Sequence, residues 1–156
     1  MSIDSVRSFL AAHAPDIAVI ELAQSTATVE LAAAGHGVAP GQIAKTLSLR
    51  VGDRVVLVVT RGDVRLDNRK VKAAFGGKAS MLPPDEVAAI TGHPVGGVCP
   101  FGLATPLPVY CDVSLKAFEE VVPAAGSTNS ALFIAPDRMA QIAGAQWVDV
   151  CQEPAA

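Results

Sequence analysis

Lys45 stands where a charged side chain is costly. From residue 42 to 51 the chain alternates, so Gln42, Ala44, Thr46 and Ser48 share one side of an extended segment, while Ile43, Lys45, Leu47 and Leu49 share the other. An ammonium among apolar neighbours must be paired, reached by water through a cleft, or neutralised. Such a lysine can hold a negative group or stabilise developing negative charge. The plainer alternative is a stem laid over Leu47 with its head in water. A second candidate is the loop HPVGGVCPFG, residues 93–102, whose glycines and prolines make a stiff backbone able to aim N–H groups at a carbonyl. Tight connections of this composition are also common. Ser25, Thr26 and Thr28 read first as helix caps and second as ligand contacts.

Other chemistries are poorly served. The chain has no Gly-x-Ser-x-Gly elbow, no Walker loop and no GxGxxG spacing. His13, His36 and His93 lack metal-ligand spacing, and Cys99, Cys111 and Cys151 form no Cys-x-x-Cys pair, so neither a metal, a cofactor nor a disulfide framework is expected. Cys99 lies close enough in sequence to His93 to suggest a nucleophile and base, but its Val and Pro flanks offer no activation of a thiolate.

The elements that must position these residues follow from pattern. Of 156 residues, 51% are hydrophobic and few are aromatic, which suits one domain over residues 1–152 with an aliphatic core and a frayed tail at 153–156. Helices are expected at 3–14, after Thr28, at 84–92 and 136–144 (each opened by Pro-Asp and closed by Gly), and near 114–121. Strands are expected at 17–22, 42–51, 54–60, 107–111, 131–135 and 146–151, the second and third joined by a Gly52-Asp53 turn. The run VVLVV is apolar on both sides and belongs at the centre of the sheet. The fold class is therefore α/β, mixed α+β, with a central mixed, largely antiparallel sheet surrounded by helices. No signal peptide or membrane-length apolar run is evident, so a cytoplasmic protein with no membrane partner is expected.

Net charge is −3, which argues against coating nucleic acid, yet six of the twelve Lys and Arg residues fall between Arg61 and Lys78. That stretch is either a solvated helix face or a local basic surface.

The segments STATVELAAAGHGVAPGQIAKTLSL and GGVCPFGLATPLPVY together resemble the YbaK/ProX family, freestanding relatives of the editing domain inserted in bacterial prolyl-tRNA synthetases. The resemblance rests on Ser25–Thr28, Gln42–Leu47 and Gly96–Gly102 in that order. It implies hydrolysis of the ester of mischarged tRNA, most readily tRNA for proline carrying Ala, Cys or 2-aminobutyrate. Lys45 is then the essential side chain. Gly96, Gly97, Val98, Cys99, Pro100, Phe101 and Gly102, with Ser25, Thr26, Thr28 and Asn129, are the residues expected to hold the aminoacyl group. Arg65, Arg69 and Lys72 are the expected tRNA contacts, and prolyl-tRNA synthetase is an expected partner. Some relatives that prefer alanine carry a His after a Gly-Ser element, where this chain has Thr128, Asn129 and Ser130, so the amino acid stays open. Asn129 and Ser130 read equally as turn residues. No side chain near these motifs reads as a general base. The competing class is a module of the same fold that binds an aminoacyl-tRNA end or a synthetase without cleaving it.

Overall fold

A computed structural model describes residues 2–154. Met1 lies outside the described residues, as do Ala155 and Ala156 of the expected tail. In chain order the elements are α1 (Ser2–His13), β1 (Ile20–Glu21), α2 (Val29–His36), β2 (Ile43–Val51), β3 (Arg54–Arg61), α3 (Asn68–Phe75), β4 (Ala79–Met81), α4 (Pro84–Thr91), β5 (Val109–Asp112), β6 (Val122–Pro123), β7 (Ser130–Ala131), α5 (Pro136–Ala143) and β8 (Gln146–Val148). No helix among the described residues is long and apolar enough to cross a membrane.

The β2–β3 hairpin organises the rest. Gly52 turns it at φ 63°, a left-handed backbone that glycine enters without a steric cost, and the strands pair antiparallel from Val51↔Arg54 to Ala44↔Arg61. The main sheet runs β4-β2-β3-β5-β8, with β6 also paired to β2. Its β4–β2–β3 part is antiparallel, whereas β5, β8 and β6 join in parallel. Val56, Leu57, Val58 and Val59 of β3 have no exposed surface, as expected for a central strand with both faces covered.

Alternation on β3 divides the core. Leu57 and Val59 pack with Val6 and Leu10 of α1 and with Met139 and Ala140 of α5. Val56 and Val58 pack on the opposite face with Val71 and Phe75 of α3. A smaller cluster sets Ala32 and Ala33 of α2 against Ile43 and Val122.

Several expected elements are shorter than their sequence pattern. The strand expected at 17–22 pairs only at Ile20 and Glu21, and that expected at 131–135 only at Ser130 and Ala131, because these two segments pair with each other in a separate two-stranded sheet. The helix expected at 114–121 is a 3-10 turn, Val113–Ala117, capped by Asp112; it stops early because Val121 and Val122 are drawn into pairing with Ile134 and β2. Helix α3, inside the basic stretch, and strand β4, just past its end at Lys78, are not among the elements whose bounds are expected from pattern. Val71 and Phe75, four apart, and the Asp67 cap on the N–H groups of Arg69 and Lys70 are the local signals for α3.

Leu57 serves both the hairpin and the larger cluster, so Leu57→Ala is expected to cost about 2–5 kcal/mol. Urea unfolding should show this as a lowered midpoint with an unchanged slope.

Candidate functional site

A cavity of about 310 Å³ opens beside β2. It is lined by Thr26, Thr28 and Val29 at the start of α2, by Ala44 through Ser48 of β2, by Met81, Leu82, Pro84 and Val87 around α4, and by Gly96, Val98 and Ser130 from three loops and short strands. Its walls are mainly apolar. Among the described residues, its lining contains no Asp, Glu or His, and no cluster of three or more His, Cys, Asp or Glu side chains could hold a metal.

Lys45 lies on the face of β2 that carries Leu47 and Leu49, as the alternation required, and is half-buried opposite Thr60. Its Nζ donates a 2.7 Å hydrogen bond to the carbonyl of Val64 in the loop after β3. Burial holds its pKa below the ordinary lysine value, partly offset by nearby Cys151 and Asp63. Asp63 is itself gripped by two Arg61 nitrogens, Nε at 2.5 Å and Nη2 at 2.8 Å, and that guanidinium keeps its carboxyl below the usual range. Lys45 is thus a charge held in place by one carbonyl, beside an Asp already claimed by an Arg.

The cavity wall opposite β2 is built from three interlocked segments. Thr26 N–H donates to Thr128 O at 2.7 Å and Leu22 N–H to Asn129 O at 2.8 Å, while Asn129 Nδ2 donates back to Leu22 O at 2.9 Å. Gly126 N–H donates to Gly97 O at 3.0 Å, tying in the glycine loop. A Cβ on Gly96, at φ 90°, would lie 2.8 Å from the Ala27 Cβ, and one on Gly97 would lie 2.8 Å from the Ser127 backbone. Glycine is required here for close packing of chain against chain.

The sequence candidates divide accordingly. Lys45, Thr26, Thr28, Gly96 and Val98 meet at the cavity. Thr28 also caps α2 by accepting from Leu31 N–H, and Thr26 Oγ1 donates to Thr128 O. Ser25 is exposed and bonds within its own turn to Ala27 N–H; Asn129 ties two segments together. Gly97, Cys99, Pro100, Phe101 and Gly102 do not line the cavity. The Gly97 N–H is spent on Pro94 O, Cys99 and Phe101 are fully buried in the core, Pro100 is buried, and Gly102 is packed against Ser5 of α1. Arg65, Arg69 and Lys72 are exposed outside the cavity lining and make no ion pair among the described residues. Arg65 adjoins Val64, whose carbonyl holds Lys45, so the basic stretch passes beside that ammonium. Thr46, Ser48 and Ser130 are cavity residues that sequence reasoning missed; alternation placed the first two opposite Lys45, with nothing to say that a cavity reaches both faces.

Cys99 and His93 do meet, Sγ to Nε2 at 3.7 Å, without forming a nucleophilic pair. His93 Nε2 lies 2.7 Å from Phe101 O, a carbonyl that can only accept, so Nε2 bears the proton and cannot take one from the thiol. Burial pushes the Cys99 thiol up to about 12. Cys111 and Cys151 are likewise buried, free and pushed up to about 12.

Comparisons with known proteins bear on this site. The profile of a family described as the aminoacyl-tRNA editing domain matches residues 23–142. YwhH of Bacillus subtilis, described as uncharacterised, is 48% identical over 98% of this chain and 99% of its own length. An Enterococcus faecalis protein, EbsC, named as a candidate Cys-tRNA(Pro)/Cys-tRNA(Cys) deacylase, is 28% identical over 79% of this chain and 76% of its own. Proline–tRNA ligase of Bacillus licheniformis is 33% identical over 67% of this chain, which covers 18% of that enzyme. A solved structure described as a candidate trans-editing enzyme for prolyl tRNA synthetase superposes with a TM-score of 0.90 at 33% identity, covering 97% of this chain and 98% of that one.

All three thiols should resist a disulfide reagent at pH 8 in the native protein and react together only on unfolding. Rapid native labelling of Cys99 would restore it as a candidate nucleophile.

Proposed function

Since this chain belongs to the aminoacyl-tRNA editing domain family, we propose that it is a trans-editing deacylase, hydrolysing the ester between a small wrong amino acid and the terminal ribose of tRNA for proline. The observation that carries this reading is the meeting of Lys45, Thr26, Thr28, Gly96 and Val98 around one cavity of about 310 Å³, near the lower end of small-molecule sites. A synthetase pocket made for proline rejects smaller residues by only ~1–3 kcal/mol per missing methylene, so a second, smaller site is needed to remove errors. Alanine, cysteine and 2-aminobutyrate all fit the size argument. The two relatives named for Cys-tRNA(Pro) and for proline tRNA charging support tRNA for proline.

In this reading water attacks the acyl carbon, the ester C–O bond breaks, and the ribose hydroxyl leaves with a proton. Lys45, positioned by its hydrogen bond to Val64 O, orients the terminal nucleotide or, in its protonated form, offsets negative charge on the acyl oxygen. The cavity lining supplies no carboxylate or imidazole, so the attacking water loses its proton to a substrate group, the vicinal ribose hydroxyl or the amine. That same lack favours the alternative, a non-catalytic module binding aminoacyl-tRNA or a synthetase. Arg65, Arg69 and Lys72 then contact the phosphates, with prolyl-tRNA synthetase as a partner in the cytoplasm.

Lys45→Ala is expected to abolish release of Ala, Cys or 2-aminobutyrate from charged tRNA while leaving the circular dichroism unchanged. Because the lysine pKa is lowered and the protonated form acts, kcat/KM should fall with rising pH before the ordinary lysine value of 10.5 is reached. A retained rate in Lys45→Ala, or no release from any charged tRNA by the unaltered protein, rejects the deacylase reading.

Replacing Arg65, Arg69 and Lys72 together by Ala should weaken tRNA binding and flatten its salt dependence, whose slope of log affinity on log salt is about −2 to −4 for ~2–4 phosphate contacts. Unchanged affinity would return this surface to a solvated helix face.

A further inference from the structure

The outer edge of β2 is paired by two different pieces of chain with an interruption between them. Its other edge is filled by β3. On the outer edge β6 pairs with Ile43 and Ala44, and β4 pairs with Leu49 to Val51. Leu82 N–H, one residue past β4, reaches Ser48 O at 3.1 Å. Backbone groups of successive strand residues point to alternate edges. Since Ser48 points outward, so do Ala44 and Thr46, while Lys45 and Leu47 point to β3. Ala44 is served by β6 and Ser48 by Leu82, while among the described residues no backbone group bonds Thr46 on this edge, which leaves it as one open rung.

The reason for the interruption is legible in the chain. Extending the β4 register from Leu49↔Met81 by three residues sets residue 84 opposite Thr46. Residue 84 is Pro, has no N–H to give, and instead opens α4 as its first residue. Thr46, Leu82, Pro84 and Val122 all line the cavity, so the cavity occupies the place of the missing rung.

We propose that the α-aminoacyl group of the substrate fills this rung, its carbonyl accepting from Thr46 N–H and its amine donating to Thr46 C=O. The inference rests on the deacylase reading and names how that site holds its substrate. The gap is one residue wide, and a free aminoacyl group carries the donor and acceptor of one strand residue; a peptide would collide with β4 or β6. Facing residues of an antiparallel pair put their side chains on one face. An L side chain therefore lies beside Thr46 and Ser48, whose hydroxyls are buried without a partner, and a D side chain turns toward the Lys45 face. The Thr46 N–H also supplies the polarising donor that Gly97, bonded to Pro94, does not.

The test replaces the Thr46 N–H by an ester oxygen, introducing the α-hydroxy analogue of threonine at that codon in the full chain, with the same exchange at Arg50, which is paired to Ser80, as reference. Loss of one such donor typically lowers kcat by about 100-fold or more. The expected result is that fall at position 46 with a clearly smaller drop in Tm than at position 50, because both esters weaken the preceding carbonyl but only the Arg50 N–H is used in the ladder. Full turnover by the position-46 ester overturns the inference and leaves the deacylase reading intact. Separately, 3′-(L-alanylamido)-3′-deoxyadenosine is titrated into the 15N-labelled protein, where the Thr46 amide should shift and the D-alanyl analogue should bind at least tenfold more weakly. A Thr46 shift in a protein that hydrolyses no charged tRNA retains the rung and rejects the deacylase; an unmoved Thr46 amide at saturating or millimolar analogue rejects the rung.

Discussion

The demand that buried backbone N–H and C=O groups find partners shapes this protein around one strand. β2 is covered on one edge by β3 and on the other by two short segments from far apart in the chain, β6 and β4. Neither is long enough to cover the whole edge. The cavity and the loops that wall it lie along that shared edge, while alternation along the strand sets Lys45 on the opposite face from Thr46 and Ser48.

The wall opposite β2 answers the same demand by other means. The segments around Leu22–Thr26, Gly97 and Gly126–Asn129 have little regular structure, so they satisfy one another through cross-bonds: Thr26 to Thr128, Leu22 to Asn129 in both directions, and Gly126 to Gly97. Such approach leaves no room for Cβ atoms at Gly96 and Gly97. The loop glycines are thereby a packing requirement as much as a site feature, and the loop's far end, Cys99 to Gly102, is a core anchor fixed to α1.

Charge is arranged sparingly around this frame. Lys45 is half-buried and leans on a single carbonyl, Asp63 is neutralised by Arg61, and the cavity lining has no acid or imidazole. On the proposed deacylase reading, this cation in mainly apolar surroundings would meet the negative charge that develops on the ester oxygen, and the group that activates water would come from the substrate. Arg65, Arg69 and Lys72 of the basic stretch, by contrast, remain exposed, where the desolvation cost of meeting a negative group is small.

Alternation over 42–51 was enough to put Lys45 among apolar residues, and the uniform VVLVV run to make β3 central, because side-chain period and burial are local properties of a strand. Pro-Asp and Gly marked the starts and stops of α4 and α5 for the same reason: helix termini are governed by backbone groups within a turn. Motif order was enough to bring the family into view. Only the tertiary structure decided which loop residues reach the cavity, since Gly96 and Val98 do so while Cys99 and Phe101 turn into the core, a matter of which way a tight loop packs. Only the tertiary structure could show that the edge of β2 is left open at Thr46. The Pro at residue 84 is visible in the sequence, but the rung it fails to make lies opposite a residue 38 positions earlier, and that register exists only once the strands have paired.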